Sequence, residues 1–335
     1  MDQPTRDIGE STRPALSVVV PCFNERANLP LLYERLLTVL DKEGTDWEMI
    51  VVDDHSGDDT FGIATTLAQH DDRVRAVRLS RNVGSHLAAM CGLDNSSGKA
   101  VAIMSADLQD PPETLPRMIE RWRQGDEVVW AVRESYEGRK LTDSLFSRLY
   151  FWMMARLLRV EHVTPQGADF VLVDRIVVDA LAQYGERNLS VYAMIAWLGF
   201  RQGMIPYAKK QREHGKSGWT LRRKLKLVVD SVTSFSYLPI RVMTIMGMVI
   251  ALLGFIYAVV IIANYFSGQP PEGWTSLAVV VLMLGGFQMV MVGTLGEYLW
   301  RCLDEARGRP RYHIERRTPR GWSTRNSRAT PDGRL

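Results

Sequence analysis

Two uncharged apolar runs near the carboxyl end limit what this chain can become. One extends from about Val242 to Phe266, the other from about Trp274 to Leu295. A helix of about 20 apolar residues spans the roughly 30 Å of a bilayer's hydrocarbon core, so each run predicts a membrane-crossing helix. Core helices of soluble proteins rarely stay free of charge over such a length. Gly247, Gly254, Gly285, Gly286 and Gly293 inside the runs suit close helix packing in lipid.

The flanks set the orientation. Lys209, Lys210, Arg212, Lys216, Arg222, Arg223, Lys224 and Lys226 precede the first run against a single acid, Glu213, and the tail after Trp300 is rich in arginine. The loop Ser267–Gly273 has no Lys or Arg and one acid, Glu272. Basic flanks stay in the cytoplasm, so the polar front of the chain is expected in the cytosol and the protein in the inner (plasma) membrane. The apolar, glycine-bearing surface of two helices suits a homo-oligomer. No apolar signal region opens the chain, and Cys22, Cys91 and Cys302 are too scattered for a disulfide framework or a zinc site.

At 335 residues the chain predicts more than one structural unit. Residues 1–14 are expected to be disordered, 15–210 to form the main α/β domain and 211–240 a basic amphipathic juxtamembrane segment, helical in character. The two spans fall within 241–298, and 299–335 is a cytosolic tail, with disorder beyond about Arg317. Apolar runs at Leu16–Val20, Met49–Val52, Val74–Leu79, Ala100–Met104 and Val128–Val132 predict strands. Helical stretches at Leu29–Leu40, Thr60–His70, His86–Asp94 and Glu113–Gln124 separate them, with Pro30 and Pro112 near helix starts. Such alternation predicts a Rossmann-like α/β fold, a mostly parallel sheet covered on both faces. Leu145–Leu158 reads either as an amphipathic interfacial helix or as a core helix.

Ligands of such sheets bind outside the carboxyl ends of the strands. Polar residues crowd there: 21–25 (Pro-Cys-Phe-Asn-Glu), 53–59 (Asp-Asp-His-Ser-Gly-Asp-Asp), 80–86 (Ser-Arg-Asn-Val-Gly-Ser-His) and 105–110 (Ser-Ala-Asp-Leu-Gln-Asp). Neither a Gly-x-x-x-x-Gly-Lys loop nor a Gly-x-Gly-x-x-Gly turn follows the first strand, which argues against an ATPase or a dinucleotide oxidoreductase. Acids grouped at a nucleotide-phosphate site suit Mg2+ or Mn2+, which take carboxylate and phosphate oxygens together. The pattern is that of a nucleotide-sugar transferase.

Val-Val-Val-Pro-Cys-Phe-Asn-Glu, Val-Val-Asp-Asp-His-Ser-Gly-Asp-Asp-Thr, Arg-Asn-Val-Gly and Ala-Asp-Leu-Gln-Asp-Pro-Pro-Glu together resemble glycosyltransferase family 2 and its GT-A fold. Four further motifs, at 167–175, 212–219, 234–241 and 296–301, with Arg-Pro-Arg-Tyr at 309–312, are similar to the bacterial polyprenyl-phosphate glycosyltransferases, a branch related to dolichyl-phosphate mannose synthase. The match runs collinearly from about residue 15 to 312.

The resemblance implies roles. Pro21, Asn24 and Glu25 frame the nucleoside, Asp53 accepts from a pyrimidine imide with Asp54 nearby, and Arg81 and Gly84 shape the donor pocket. Asp107 and Gln109 hold the metal on the diphosphate. The family's Asp-Ala-Asp-Leu-Gln is here Ser105-Ala-Asp-Leu-Gln, one carboxylate fewer. Asp169 is the catalytic candidate, either as base or as a positioning group, because a phosphate monoester with a second pKa of about 6 is mostly dianionic at neutral pH. Arg212 and Lys216, with Arg133 as a weaker candidate, would gather the acceptor phosphate. The activity implied is inverting transfer of one hexose from a nucleotide sugar, UDP-glucose foremost, to polyprenyl phosphate; no nucleic-acid partner is expected. A processive polysaccharide synthase would need more spans and a Gln-x-x-Arg-Trp motif, and a non-catalytic nucleotide-sugar scaffold is the other alternative.

Overall fold

The structure, a computed structural model, describes residues 14–133, 169–184, 190–208, 238–267 and 273–319. Arg212, Lys216, the basic segment, the stretch at Leu145–Leu158 and both expected disordered ends before residue 14 and after 319 lie outside the described residues. The described chain divides into a front unit, joined by the residues from Pro310 onward, and a helical unit within Leu221–Arg309.

The front unit is one eight-stranded sheet. Its strands are β1 (Leu16–Cys22), β2 (Trp47–Asp53), β3 (Val74–Leu79), β4 (Ala100–Ile103), β5 (Val128–Arg133), β6 (Phe170–Asp174), β7 (Gln202–Tyr207) and β8 (Ile314–Arg317). Their spatial order is β7-β5-β6-β4-β1-β2-β3-β8. Helices α1 (Asn28–Lys42), α2 (Thr60–His70), α3 (Ser85–Asp94) and α4 (Leu115–Arg123) follow the first four strands, with a 3-10 turn at Pro112–Thr114 before α4. Helices α5 (Arg175–Leu181) and α6 (Val191–Trp197) complete the unit.

The apolar runs of the strands are explained by burial on both faces. Val18 and Val20 of β1 join Leu29, Leu32 and Leu36 of α1 in one core layer. Val19 points the other way, to Ala88, Cys91 and Leu93 of α3. A strand with solvent on one side would have to alternate apolar with polar residues. The approach of α3 to β1 is close: a Cβ at Gly92 would lie 2.1 Å from Val19 Cγ1. Gly92→Ala is therefore expected to destabilise the domain by about 1–3 kcal/mol through overpacking. Thermal unfolding should show this, and Val19→Ala in the same chain should recover part of the loss.

The sheet is less parallel than the strand–helix alternation predicts. β1–β2, β1–β4, β2–β3 and β5–β7 are parallel, but β6 runs antiparallel between β4 and β5, and β8 antiparallel on β3. Strands β6, β7 and β8 escaped the sequence reading because they lie beyond the regular strand–helix alternation of the first 133 residues. From β1 the chain steps outward through β2 and β3, then crosses back to β4 on β1's other side. That reversal is the switch point where such sheets open a ligand crevice.

The helical unit holds α7 (Leu238–Phe266) and α8 (Trp274–Ala306), longer than the apolar runs alone required. Their apolar side chains face outward: Phe255 is 68% and Met289 74% exposed. Helices of a soluble core would bury such residues; Ile240–Asn264 and Val279–Asp304 are long and apolar enough to cross a membrane. Of the five glycines, Gly247 meets the neighbouring helix, at Phe287 and Met291. Around the other four, no described residue lies within 4 Å of a Cβ built there.

Candidate donor and acceptor site

The loops after β1 and β2 are laced together. Asn24 takes a left-handed conformation (φ +59°), which asparagine tolerates better than most residues. Its N–H donates to Ser56 Oγ at 2.9 Å, and its side-chain oxygen accepts from the Gly57 N–H at 2.8 Å. The Glu25 N–H donates to Thr60 Oγ1 at 2.9 Å, and Asn28 Nδ2 donates to the Glu25 carboxylate at 2.6 Å. Pro21, the half-buried penultimate residue of β1, lies just before them. The two loops are thus fixed to each other by backbone donors that would otherwise be unpaired.

The paired acids after β2 serve different loops. Asp53 is fully buried; Oδ1 accepts from the Ser56 N–H at 3.0 Å and Oδ2 from Arg78 Nη1 at 2.7 Å. Arg78 Nη2 also donates to the Ser56 carbonyl at 3.1 Å. Asp54 accepts from the Val83 N–H at 2.7 Å and the Gly84 N–H at 2.8 Å. Burial raises the Asp54 carboxyl's pKa, against the pull of those two N–H donors. Asp54 thereby holds the 80–84 loop, on which Arg81 is exposed. Gly84, at φ +93°, opens α3 in a conformation that favours glycine.

After β4 the chain folds tightly, with Leu108 at φ +61°. Asp107 Oδ1 accepts from Ser105 Oγ at 2.7 Å and from the Gln109 N–H at 3.2 Å. Asp110, fully buried, accepts from the Tyr207 hydroxyl at 2.7 Å. Burial, and then Asp110, raise the pKa of the Tyr207 phenol. Ser105, at the position where the family carries its first acid, donates to Asp107 and so orients it. Among the described residues no three His, Cys, Asp or Glu side chains cluster as a ready metal cage. The donors present are oxygens, and Mg2+ is commonly held by one or two carboxylates with substrate phosphates completing its shell. Asp107 and the Gln109 amide fit that mode, in which the cation arrives with the donor.

Asp169 comes to this edge because β6 is antiparallel. Phe170, the first residue of β6, pairs with Ala131, and Val171 with Ile103 at the end of β4. The start of β6 therefore lies at the carboxyl ends of β4 and β5. The Asp169 charge acts on the Tyr207 phenol and on His86. Burial lowers the His86 pKa, and Asp169 opposes this. The His86 ring meets Tyr192 edge-on, with centroids 5.4 Å apart, and Ser190 Oγ lies 3.4 Å from Nδ1. Arg133, opposite Tyr207 in the β5–β7 ladder, is half-buried at the same edge.

The sequence reading missed Arg78 and Tyr207; Ser56 lay inside the 53–59 segment it singled out but was given no role. The available signal for Arg78 was a cation inside a doubly covered strand, a signal it shares with Arg75. Tyr207 carried none, since nothing local marks β7 as passing beside Asp110.

A sheet with a switch point beside β1 and acids from successive strand ends on one edge is the α/β architecture that the resemblance to the GT-A fold implies. The description "Glycosyl transferase family 2" matches residues 17–178. An uncharacterized glycosyltransferase of Synechocystis sp. is 36% identical over 300 residues, 89% of this chain and 94% of that one. The bactoprenol glucosyl transferase of Shigella phage SfX is 34% identical over 309 residues, 90% of this chain and 99% of its own. The undecaprenyl-phosphate 4-deoxy-4-formamido-L-arabinose transferase of Klebsiella pneumoniae is 33% identical over 308 residues, covering 90% and 93%. The chain belongs to glycosyltransferase family 2 and is a glycosyltransferase.

Proposed function

We propose that the protein transfers one hexose from a nucleotide sugar, UDP-glucose foremost, to polyprenyl (undecaprenyl) phosphate at the cytosolic face of the inner membrane, with inversion. The observation that carries this reading is the extent of the similarity. Relatives named for bactoprenol and undecaprenyl-phosphate transfer align over 90% of this chain, well beyond residues 17–178 of the shared family domain. The topology is consistent with it. β8 follows the second long helix yet pairs with β3, as a chain that leaves the front domain through two spans and returns to it would require.

The 21–25 and 53–57 loops would receive the nucleoside, and the 80–84 loop, held by Asp54, would present Arg81 to the donor. Asp107 and Gln109 would hold Mg2+ or Mn2+ at the diphosphate; the cation supplies neutralisation of charge on the departing nucleoside diphosphate. A phosphate oxygen of the lipid attacks the anomeric carbon from the opposite face, and the bond to the diphosphate breaks. The acceptor is already mostly dianionic at neutral pH, so the principal task of Asp169 is to orient sugar and acceptor. Arg133, with Arg212 and Lys216, would aim the phosphate by charge-assisted hydrogen bonds.

The test is incubation of membranes bearing the protein with polyprenyl phosphate and a panel of labelled nucleotide sugars: UDP-glucose, UDP-galactose, UDP-N-acetylhexosamines, GDP-mannose and a modified UDP-arabinose. Lipid-linked glucose is expected. No lipid product from any donor would leave the scaffold reading, and a product of retained anomeric configuration by NMR would exclude direct displacement.

A further inference from the structure

The last described strand enters the donor site from the far end of the sequence. β8 lies antiparallel on β3, with Val77 opposite Arg317, Arg78 opposite Arg316 and Leu79 opposite Ile314. One step on β3 thus matches two on β8, and Glu315 is the extra residue of a bulge. Bulges re-aim side chains and recur beside functional sites. Here the Glu315 carboxylate reaches Arg78 Nε at 3.2 Å and stands 3.6 Å from His55 Nδ1. Arg78 spends its other nitrogens on Asp53 and the Ser56 carbonyl. Ser56 in turn accepts the Asn24 N–H.

The strand is firmly seated. The Tyr312 hydroxyl, in the Arg-Pro-Arg-Tyr motif, donates to Asp94 at 2.7 Å, and the Ser80 N–H donates to the His313 carbonyl at 2.9 Å. Thr318 pairs with Ala76 through its N–H at 3.0 Å and by accepting the Ala76 N–H at 3.1 Å on Oγ1. A guanidinium is a rigid fork that can satisfy several acceptors only in one orientation. With one nitrogen on β8 and two on the Asp53–Ser56 loop, Arg78 ties the loop's conformation to the presence of the tail strand.

We propose that Glu315 is a positioning residue of the donor site. Through Arg78 it holds the Asp53–Ser56 loop, and with it Asn24, in the form that receives the donor's nucleoside. The segment following the second long helix thereby becomes part of the nucleotide pocket, which makes the pocket complete only in a chain that continues past that helix. This rests on the assignment of the 21–25 and 53–57 loops to the nucleoside. A merely structural pair this exposed, with Arg78 19% and Glu315 35% accessible, would contribute little to folding, so its effect belongs on the donor.

The experiment uses the full chain in lipid nanodiscs: wild type, Glu315→Gln, Glu315→Asp, Arg78→Lys and the Arg78→Lys/Glu315→Gln double variant. Calorimetric Kd values for UDP and GDP are measured beside donor KM, acceptor KM and kcat. Glu315→Gln is expected to raise donor KM and the nucleotide Kd about three- to tenfold, the span of one charge-assisted hydrogen bond. Acceptor KM and kcat should stay within about twofold, and Glu315→Asp should recover most of the loss. In the Arg78→Lys background Glu315→Gln should add little, because the two act as one unit. An unchanged nucleotide Kd, a loss confined to kcat, or multiplying effects in the double variant would overturn the proposal. If wild type binds nucleotide but turns over no donor, the transferase reading fails while the Kd comparison still decides the role of Glu315. If wild type binds neither nucleotide, both fail.

Discussion

Asp107→Ala is expected to lower kcat about 10²- to 10³-fold, the loss typical when a group stabilising transition-state charge is removed. In the proposed reaction charge accumulates on the diphosphate as its bond to the sugar breaks, and Asp107, the acid of the Ala-Asp-Leu-Gln turn, is the residue proposed to hold a cation there. Its Oδ1 takes the hydroxyl of Ser105 and the N–H of Gln109, so the alanine variant also loosens this turn. Those are two partly buried hydrogen bonds, about 1 kcal/mol each, and the fold should survive. Asp107→Asn separates the effects: its amide oxygen still accepts from Ser105 and Gln109, but the charge is gone. Initial rates at saturating donor, with thermal unfolding beside them, are the measurement. Two inactive, folded variants assign the loss to charge; an active Asn variant assigns it to the turn; an active Ala variant removes Asp107 from the chemistry.

Arg78→Ala is expected to cost about 3–5 kcal/mol of stability, because it leaves the fully buried Asp53 carboxylate charged and without its cation. Asp53 has no exposed surface, and the Ser56 N–H would remain beside it. The same substitution frees the Ser56 carbonyl and releases Glu315, so nucleotide affinity should fall with stability. Denaturant unfolding of the full chain in detergent reads the first effect. Asp53→Asn added to Arg78→Ala should regain a substantial part of it, since a neutral amide is far less costly to bury than a carboxylate. A single variant within about 0.5 kcal/mol of wild type, as an ordinary surface change would be, would show that water reaches Asp53.

Much of the front sheet was legible because its strands are covered on both faces. Val74–Leu79 and Thr60–His70 fall where the apolar pattern puts them, and the other early elements differ by a few residues at their ends, where caps rather than periodicity decide. The candidate site was legible as composition: four strand ends rich in acids and amides. Its wiring was not. Nothing local indicates that Asp53 pairs with Arg78 while Asp54 pins Val83 and Gly84, since neighbouring side chains of a strand end point to opposite sides. The second ion pair of this kind, Glu48 with Arg75, lies buried across β2 and β3 and also takes the hydroxyls of Ser17 and Ser97. It reads in the sequence as two ordinary charges inside strands.

By itself the sequence determined the two long apolar helices, the α/β rhythm and the family, since each is written in local periodicity or collinear motifs. The tertiary structure decided what depends on pairing between distant segments. It reversed β6, which brings Asp169 to the edge that carries Asp107. It set Tyr207 on Asp110, 97 positions away, and Glu315 on Arg78, 237 positions away. Strand pairing is fixed by which edges remain open once the core has formed, and no stretch of residues encodes that alone.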